Sequence, residues 1–455
     1  MAVPAEYFNE TYLRDYFNRS LLNKKGGGRD NLSPEKFLEK HWSEFDTISQ
    51  KCLDGSYHFS YYNEKLVLRG SQKLPRVLSI PSVRDRLVLG VLNDYLSAVF
   101  PECVNHEIPN NLIYQVDRYI HEHPQQEIAF LRTDFSDFYG TIHIRTLMKM
   151  LKARIKDKAI LDLVFKAVTT PTVSGSAPKG LEGKRKQGIP QGLSISNILA
   201  AIYMMSFDEE FGKANAGVYI RYVDDILFLD VKTEDLQSRM IAEVKQRKLR
   251  LKLSKEKCRS GFIGADELDF IGYIIKDKIF IRQKNVTRFI NRVAALSSKC
   301  RAGLNQPYQR PLFIKEDASY YSFYVEEFNR LISGFKYGNR LYGWMSYFQA
   351  INDVASLYGM DRIIRGRLLK ELPEEVVSKV NSLVDTYYDI RRNGGEKLVT
   401  DFDSLTTIEQ KRSFLLNKGR IDRNKTYTDE QIENNFDSYL DLIKRVSEQN
   451  IGAVS

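Results

Sequence analysis

The sequence contains few of the residues that form disulfide bonds or bind structural metals. It has 4 cysteines and 6 histidines among 455 residues. The cysteines are scattered, and no CxxC pair occurs: Cys52, Cys103, Cys258 and Cys300. Because disulfide frameworks and zinc sites need closely spaced ligands, we expect neither, and a reducing cytoplasm is the compartment that fits best.

Long apolar runs are also missing. No stretch of about 18 apolar residues occurs, so we expect no membrane span. The opening residues, "MAVPAEYFNETYLRDYF", carry early acidic side chains and no apolar core, so we expect no secretory signal. Hydrophobic residues make up 43% and charged residues 28% of the chain, which is typical of a soluble globular protein of about two or three domains.

Positive charge, by contrast, is in excess. The formal net charge is +10 at pH 7. A basic surplus attracts polyanions, of which nucleic acid is the commonest. On charge alone, a basic protein that binds no polyanion stays open as the alternative.

The apolar pattern predicts a mixed α/β region followed by a largely helical C-terminal part. The predicted helices are 144–155, 194–211, 233–249 and a segment from about Asp85 to residue 100, with mostly helix beyond about residue 285. The predicted β segments are 74–84, the start of 128–142, the two strands around Asp224, 250–254 and a hairpin over 268–281.

Paired carboxylates interrupt one of these apolar runs. In "YIRYVDDILFL" (219–229), Asp224 and Asp225 stand side by side, and Asp134 ends an earlier apolar strand. Adjacent carboxylates repel each other and are costly to bury, but a shared divalent cation offsets that cost. Two Mg²⁺ ions held in this way catalyse in-line nucleotidyl transfer. The alternative is a simple hairpin turn, which Asp also favours.

Several further motifs accompany the carboxylates, and together they resemble those of prokaryotic reverse transcriptases. They follow that family's order: "KKGGGRDNLSPEKF" (24–37), "KLPRVLSIPSVRDRLV" (73–88), "RTDFSDFYG" (132–140), "GIPQGLSISNILA" (188–200), "YVDD" (222–225), "LKLSKEKC" (251–258), "LDFIGY" (268–273) and a thumb-like segment (341–369). The resemblance implies an RNA-directed DNA polymerase with an α/β right-hand fold of fingers, a palm with an antiparallel sheet and a helical thumb.

The resemblance also implies boundaries and site roles. The implied segments are fingers (1–125), palm (126–284, with an inserted fingers part at about 150–195), thumb (285–370) and an all-α C-terminal extension (371–455). The implied catalytic and metal-binding residues are Asp134, Phe135 (through its carbonyl), Asp224 and Asp225. The implied cofactor is two Mg²⁺ ions, with Mn²⁺ as the alternative metal. The implied nucleotide-binding residues are Lys73, Arg76, Tyr139, Gln191, Gly192 and Lys257. The implied primer and template contacts are Arg84, Arg86, Tyr222, Gly272 and Tyr273.

Two of these assignments have named competitors. Tyr139 matches the family's steric gate, whose ring excludes a ribose 2′-OH; core packing is its alternative. Lys255 competes with Lys257 for the role of protonating the pyrophosphate leaving group.

The box around Gln191 departs from the form usual in intron-encoded enzymes. Those enzymes read "PQG", then Gly or Ala, then "SP"; this chain reads "PQGLSISN" (190–197). That form, with no endonuclease-like segment after the thumb, resembles the bacterial phage-defence and abortive-infection reverse transcriptases. The resemblance implies an RNA template, often a dedicated non-coding RNA, with dNTPs and a DNA product, and it leaves open a homo-oligomer or an accessory defence protein.

Other functions remain alternatives at this point. One is an intron-type maturase or mobility reverse transcriptase, and another is an untemplated or protein-primed DNA-synthesising polymerase. A catalytically inactive RNA-binding splicing factor is a third, although a pure binder has no need of three repelling aspartates.

Overall fold

The computed structural model describes residues 2–22, 27–68, 74–104, 108–174, 187–213, 217–231, 236–246, 249–254, 258–314 and 316–451. The α-helices are α1 (Pro4–Tyr7), α2 (Glu10–Ser20), α3 (Pro34–His41), α4 (Glu44–Leu53), α5 (Val83–Val99), α6 (Pro109–Glu122), α7 (Phe138–Thr141), α8 (Ile144–Arg154), α9 (Lys158–Thr169), α10 (Ser196–Lys213), α11 (Leu236–Gln246), α12 (Gln283–Asn305), α13 (Asp317–Ile332), α14 (Trp344–Tyr347), α15 (Val354–Ile363), α16 (Glu374–Val377), α17 (Leu383–Asn393), α18 (Ile408–Asn417) and α19 (Asp429–Ile451). The strands are β1 (Tyr62–Val67), β2 (Arg76–Ile80), β3 (Ala129–Asp134), β4 (Thr172–Val173), β5 (Val218–Tyr222), β6 (Asp225–Asp230), β7 (Arg259–Phe262), β8 (Leu268–Phe270), β9 (Tyr273–Ile275), β10 (Ile279–Ile281), β11 (Phe335–Tyr337), β12 (Arg340–Tyr342) and β13 (Thr400–Asp401).

The chain divides into two compact units. The first unit comprises residues 1–106 and 131–260, and the second comprises residues 107–130 and 261–455. In the parts of the chain that the structure describes, none of the helices combines the length and apolar character that a bilayer crossing requires. The finer division into fingers, palm, thumb and extension stays a prediction.

A four-stranded sheet has the strand order β5-β6-β3-β7, and β5, β6 and most of β3 belong to the first unit. Strands β5 and β6 form an antiparallel hairpin, and every residue of β6 is buried. Helix α10 lies against β5, and its apolar side chains join the main core of this unit. A second sheet has the order β2-β1-β4, with β1 antiparallel to β2 and parallel to β4.

Helix starts in this unit follow their capping residues. Helix α5 begins at Val83, slightly before the predicted start, because the Ser82 hydroxyl accepts a hydrogen bond from the Asp85 N–H. Helix α3 begins after Ser33, whose hydroxyl accepts from the Lys36 N–H. Helix α10 begins at Ser196, two residues later than predicted, because residues 191–195 form turns.

The predicted strand over 250–254 is wrong. Among the described residues it is a single bridge in which Phe135 pairs with Leu253. The Ser254 N–H donates to the Asp134 carbonyl, and the Ser136 N–H donates to the Lys252 carbonyl. Arg250 has φ +56°, which breaks the extended conformation before a strand can form.

The second unit contains two small sheets and most of the C-terminal helices. The predicted hairpin over 268–281 is a three-stranded meander in the order β10-β9-β8. The extra strand arises because Ile271 and Gly272, both at positive φ, form a two-residue turn between β8 and β9. The second sheet, in the order β12-β11-β13, shares a core with α18 and α19 through Phe335, Phe402 and Phe436.

Candidate active site

Two of the three predicted catalytic aspartates lie at neighbouring strand ends of the first unit. Asp134 is the last residue of β3 and Asp225 is the first residue of β6, and β3 and β6 are adjacent in the sheet. Their exposed fractions are 3% and 1%. The Arg132 Nη2 lies 3.4 Å from the Asp225 Oδ1, which places the end of β3 beside the start of β6. Folding thus brings together two carboxylates that are far apart in the sequence.

The third aspartate occupies the turn between β5 and β6. Tyr222 pairs with Asp225, so Val223 and Asp224 form a two-residue hairpin loop. Val223 has φ +59°, a conformation that a β-branched residue adopts only at an energetic cost. Such strain persists only where surrounding contacts enforce it, and it is commonest at functional sites.

A partly buried ion pair supplies those contacts. The guanidinium of Arg221 donates to both carboxylate oxygens of Asp208 on α10, at 2.5–3.0 Å. The remaining nitrogen, Nη1, donates to the carbonyl of Val223 at 2.9 Å. Burial alone would lower the pKa of Arg221, but the Asp208 carboxylate raises that pKa above its usual range. Asp208 and Arg221 therefore hold the strained turn against α10.

Sequence reasoning missed this pair and also missed Arg132. Arg132 precedes Asp134 by two positions on β3, so both side chains point to the same face of the sheet. This two-residue spacing was the feature of the sequence that could have placed Arg132 beside the aspartates. Its guanidinium provides positive charge next to Asp225 and so offsets part of the repulsion between the carboxylates. Asp208 carried no comparable signal, because only the packing of α10 on β5 brings it to Arg221.

The loop around Gln191 is attached to two other parts of the first unit through main-chain atoms. The Ile189 N–H donates to the Tyr139 carbonyl at 2.8 Å, and the Gly188 N–H donates to the Ile142 carbonyl at 3.0 Å. On the other side, the Ser79 N–H of β2 donates to the Gln191 carbonyl at 2.7 Å. The backbone thus fixes the loop between α7 and β2.

Glycine is required at two positions of this loop. Gly188 has φ +75°, and a Cβ there would lie 2.6 Å from the Gly140 carbonyl oxygen. Gly192 has φ +99°, and a Cβ there would lie 3.2 Å from the Ser79 carbonyl oxygen. Both the conformation and the close approach of backbones exclude larger residues.

Tyr139 lies close to the loop and to the turn. Its hydroxyl donates to the Asn197 Oδ1 at 2.8 Å, and its ring packs on the edge of the main core. Burial and the charge of Asp224 raise the pKa of Tyr139 to about 12, while Arg76 acts in the opposite direction. Tyr139 therefore stays protonated at neutral pH, within electrostatic range of Asp224 and Arg76.

The predicted fingers residues differ in what they contact. Arg76 is exposed on β2. Arg84 is engaged within the protein: its Nη2 lies 3.1 Å from the buried Asp85 carboxylate and 2.9 Å from the His58 carbonyl. The Arg86 Nε donates to the Pro81 carbonyl at 3.1 Å. Lys73 and Lys257, together with Lys255, lie outside the described residues.

Gly272 and Tyr273 lie in the second unit, at the turn between β8 and β9. Gly272 has φ +91°, and a Cβ there would lie 2.9 Å from the Asn285 Nδ2. Tyr273 is fully buried and its hydroxyl donates to the Tyr347 carbonyl, while the Tyr347 hydroxyl donates to the Ile271 carbonyl at 2.9 Å. These bonds fix the turn, and a role in holding a primer stays a prediction.

The donor chemistry of the aspartates fits a hard cation such as Mg²⁺, which prefers carboxylate and carbonyl oxygens. The bridge between Phe135 and Leu253 uses the Asp134 carbonyl and the Ser136 N–H, so it leaves the Phe135 carbonyl out of the pairing. Among the described side chains, however, no three Asp, Glu, His or Cys residues gather into a metal-binding group. Metal binding is therefore part of our proposal.

Comparison with known proteins gives the class of this site. Residues 68–275 match the family model for "Reverse transcriptase (RNA-dependent DNA polymerase)". The chain is 24% identical to Protein YkfC of Escherichia coli over 307 residues, which cover 56% of this chain and 78% of that protein. It is 29% identical over 196 residues to the putative COX1/OXI3 intron 1 protein of Saccharomyces cerevisiae, covering 40% of this chain and 22% of that protein.

A further relative is the uncharacterized 91 kDa protein in the cob intron of Schizosaccharomyces pombe, 26% identical over 196 residues and covering 42% of this chain and 23% of that protein. The chain thus spans less than a quarter of either fungal protein. Among solved structures, telomerase from Candida tropicalis aligns with a TM-score of 0.44 at 13% identity, over 87% of this chain and 67% of that one.

The family match includes Asp134, Asp224 and Asp225, and the first unit supplies the mixed α/β architecture with an antiparallel hairpin that this class requires. The predicted α/β right-hand fold class is therefore confirmed. The C-terminal extension is not all-α as predicted, because β13 pairs with β11 in a small sheet. Both fungal relatives are named as proteins of introns. We conclude that residues 68–275 are a reverse transcriptase domain, an enzyme domain of the RNA-dependent DNA polymerase class.

Proposed function

We propose that this chain adds dNTPs to a primer 3′-OH on an RNA template, with Asp134, Asp224 and Asp225 as metal ligands. The observation that carries this proposal is the meeting of Asp134 and Asp225 at neighbouring strand ends within the matched domain. When bound, Mg²⁺ supplies charge stabilisation for the attacking and leaving oxygens. The Phe135 carbonyl is a further candidate ligand.

Other residues of the first unit would position the nucleotide. Arg76, exposed on β2, would face the triphosphate as a cation. Gln191 and Gly192 would contact the nucleotide. Main-chain hydrogen bonds fix their loop between α7 and β2, so these two residues would be held in position for that contact. Tyr139 would pack under the sugar, and Tyr222, at the end of β5, would lie near the primer end.

The activity is tested directly with purified protein, a defined RNA template, an annealed DNA primer and dNTPs. We expect template-dependent primer extension that requires Mg²⁺ or Mn²⁺ and stops when EDTA is added. Extension with a DNA template in place of RNA measures template preference. Products whose sequence does not follow the template would instead support untemplated synthesis.

Replacing Tyr139 should change the choice of sugar. We expect Tyr139→Ala to raise rNTP relative to dNTP incorporation by roughly tenfold or more, because removal of the ring opens space for a 2′-OH. The measurement is the ratio of kcat/KM for one rNTP and its matching dNTP.

The matched control keeps the ring and removes the hydroxyl. Tyr139→Phe breaks the hydrogen bond to Asn197 but retains the excluded volume, so the sugar preference should stay within about twofold of the original. An unchanged preference in Tyr139→Ala would assign this ring to core packing alone.

The biological setting that we propose is defence against phage with a dedicated non-coding RNA as template. The support is the "PQGLSISN" box, in which Asn197 follows Ser196 where intron-type enzymes have Pro after Ser. In this chain the Asn197 Oδ1 accepts a hydrogen bond from the Tyr139 hydroxyl. A proline side chain has no acceptor and cannot make this bond.

The second candidate is an intron-type maturase or mobility enzyme, which the names of the two fungal relatives favour. Sequencing the RNA that co-purifies with the protein from its native locus separates the two. If the protein acts in defence, we expect one dominant small RNA, encoded beside the gene, to co-purify with it. We also expect cells that carry Asp224→Ala to lose resistance to phage. Intron RNA would favour the second candidate, and protection that persists in Asp224→Ala would contradict a role for DNA synthesis.

A further inference from the structure

A groove between α8 and α9 lies in the first unit, among residues to which neither the motifs nor the family resemblance assign a role. It is an open groove with a volume of about 840 Å³. This volume falls within the range of specific binding sites, roughly 300–1,000 Å³. We call it the α8–α9 groove.

The rim of the α8–α9 groove is strongly basic. Its cationic lining residues are Arg145, Lys149, Lys152, Lys156 and Lys158. The three on α8, Arg145, Lys149 and Lys152, are three or four residues apart, so they form one stripe along the groove. All five are exposed.

These cations have little negative charge to balance them. The single acidic lining residue is Asp162, and its carboxylate already pairs with Lys166 at 2.7 Å. Among the described residues, no carboxylate lies within ion-pair distance of Arg145, Lys149 or Lys152. The rim therefore presents uncompensated positive charge.

The floor of the groove is apolar and mostly aliphatic. It is lined by Ile144, Met148, Ile155, Leu161 and Phe165. Phe165 is 40% exposed, and Met148 is half-buried. Met adapts its shape to different partners and is common at binding surfaces that accept apolar side chains.

We propose that the α8–α9 groove binds an acidic amphipathic helix of a partner protein. Such a helix would place apolar residues at i, i+3, i+4 and i+7 on the aliphatic floor and direct Glu or Asp side chains to the cationic stripe. A single-stranded nucleic acid matches the groove less well, because base stacking needs several aromatic rings and the floor provides only Phe165. The inference does not depend on the proposed template or on the defence role.

The test uses the full chain and a designed probe, since the partner is unidentified. The probe is a fluorescein-labelled helical peptide with Leu at i, i+3, i+4 and i+7 and Glu at most other positions. We expect saturable binding by fluorescence anisotropy that weakens as salt rises. A scrambled peptide of the same composition, which lacks the apolar stripe, should bind at least about tenfold more weakly.

Charge reversal in the groove provides the decisive comparison. Lys149→Glu with Lys152→Glu should weaken binding of the peptide by about tenfold or more, because two attractive contacts become repulsive. The matched control is Lys36→Glu with Lys40→Glu on α3, which reverses two exposed lysines one helical turn apart and should leave binding unchanged. Both variants should retain primer extension, which shows that they fold.

Two results would overturn the proposal. The first is equal peptide binding by the groove variant and the α3 variant. The second is no peptide binding, together with a loss of oligo(U) RNA binding confined to the groove variant, which would make the groove a nucleic-acid surface. A Phe165→Ala variant adds a check on the apolar floor and should weaken peptide binding without changing its dependence on salt.

Discussion

Asp225→Asn should abolish DNA synthesis while the protein remains folded. Asn keeps the shape of the side chain but removes the charge that a metal ion requires. Because metal-held charge stabilisation is worth several kcal/mol and about 1.4 kcal/mol is tenfold in rate, we expect incorporation to fall by roughly a thousandfold or more. Single-nucleotide incorporation under pre-steady-state conditions measures this loss.

Folding of this variant is checked by urea unfolding. The free energy of unfolding should change by no more than about 1–2 kcal/mol, because one hydrogen-bonding group replaces another of the same size. The matched control is Asp277→Asn, the same change at an exposed turn between β9 and β10, which should keep full activity. Synthesis at the original rate by Asp225→Asn would refute the assignment of Asp225 as a metal ligand.

Asp208→Ala should cost both stability and activity. It leaves the guanidinium of Arg221, whose side chain is 15% exposed, without its counter-charge, and the loss of hydrogen bonds to a charged group costs about 1.5–3 kcal/mol. The Val223 carbonyl then loses a fixed donor, so the strained turn that carries Asp224 relaxes. We expect kcat for incorporation to fall by about a hundredfold, the scale expected when catalytic groups move by about 1 Å.

Two controls separate positioning from stability. Leu13→Ala in α2 removes a fully buried side chain and costs about 3–5 kcal/mol without touching the turn, so its folded fraction should keep the original kcat. Glu102→Ala removes an exposed partner of Arg154 and should cost less than about 1 kcal/mol. If Asp208→Ala loses no more activity per folded molecule than Leu13→Ala does, the pair is merely structural.

The sequence was informative where chemistry needs particular residue types in a fixed order. Asp134 and Asp225 were identifiable because carboxylates inside apolar strands are costly, and the fold brings them to adjacent strand ends. The helical spacing from about Asp85 predicted α5 to within two residues of its start at Val83. These features depend on local sequence, which is visible before folding.

The features that sequence reasoning missed depend on tertiary contacts. Asp208 meets Arg221 only after α10 packs on β5, so nothing near either residue indicates the pair. The segment 250–254 alternates like a strand, but one bridge to Phe135 and the positive φ of Arg250 limit its pairing. In both cases, partners distant in the chain decided the outcome.

The main-chain attachment of the Gln191 loop has a consequence for how such a sequence can drift over time. The bonds from Ser79 to Gln191 and from Ile189 to Tyr139 use atoms that every residue except proline possesses. Substitutions of most side chains there leave the bonds in place, and only Gly188 and Gly192 restrict the choice through their conformation. A loop held in this way can survive extensive sequence divergence while its geometry stays constant. Proline at Ser79 or Ile189 is the change that such a lineage cannot accept.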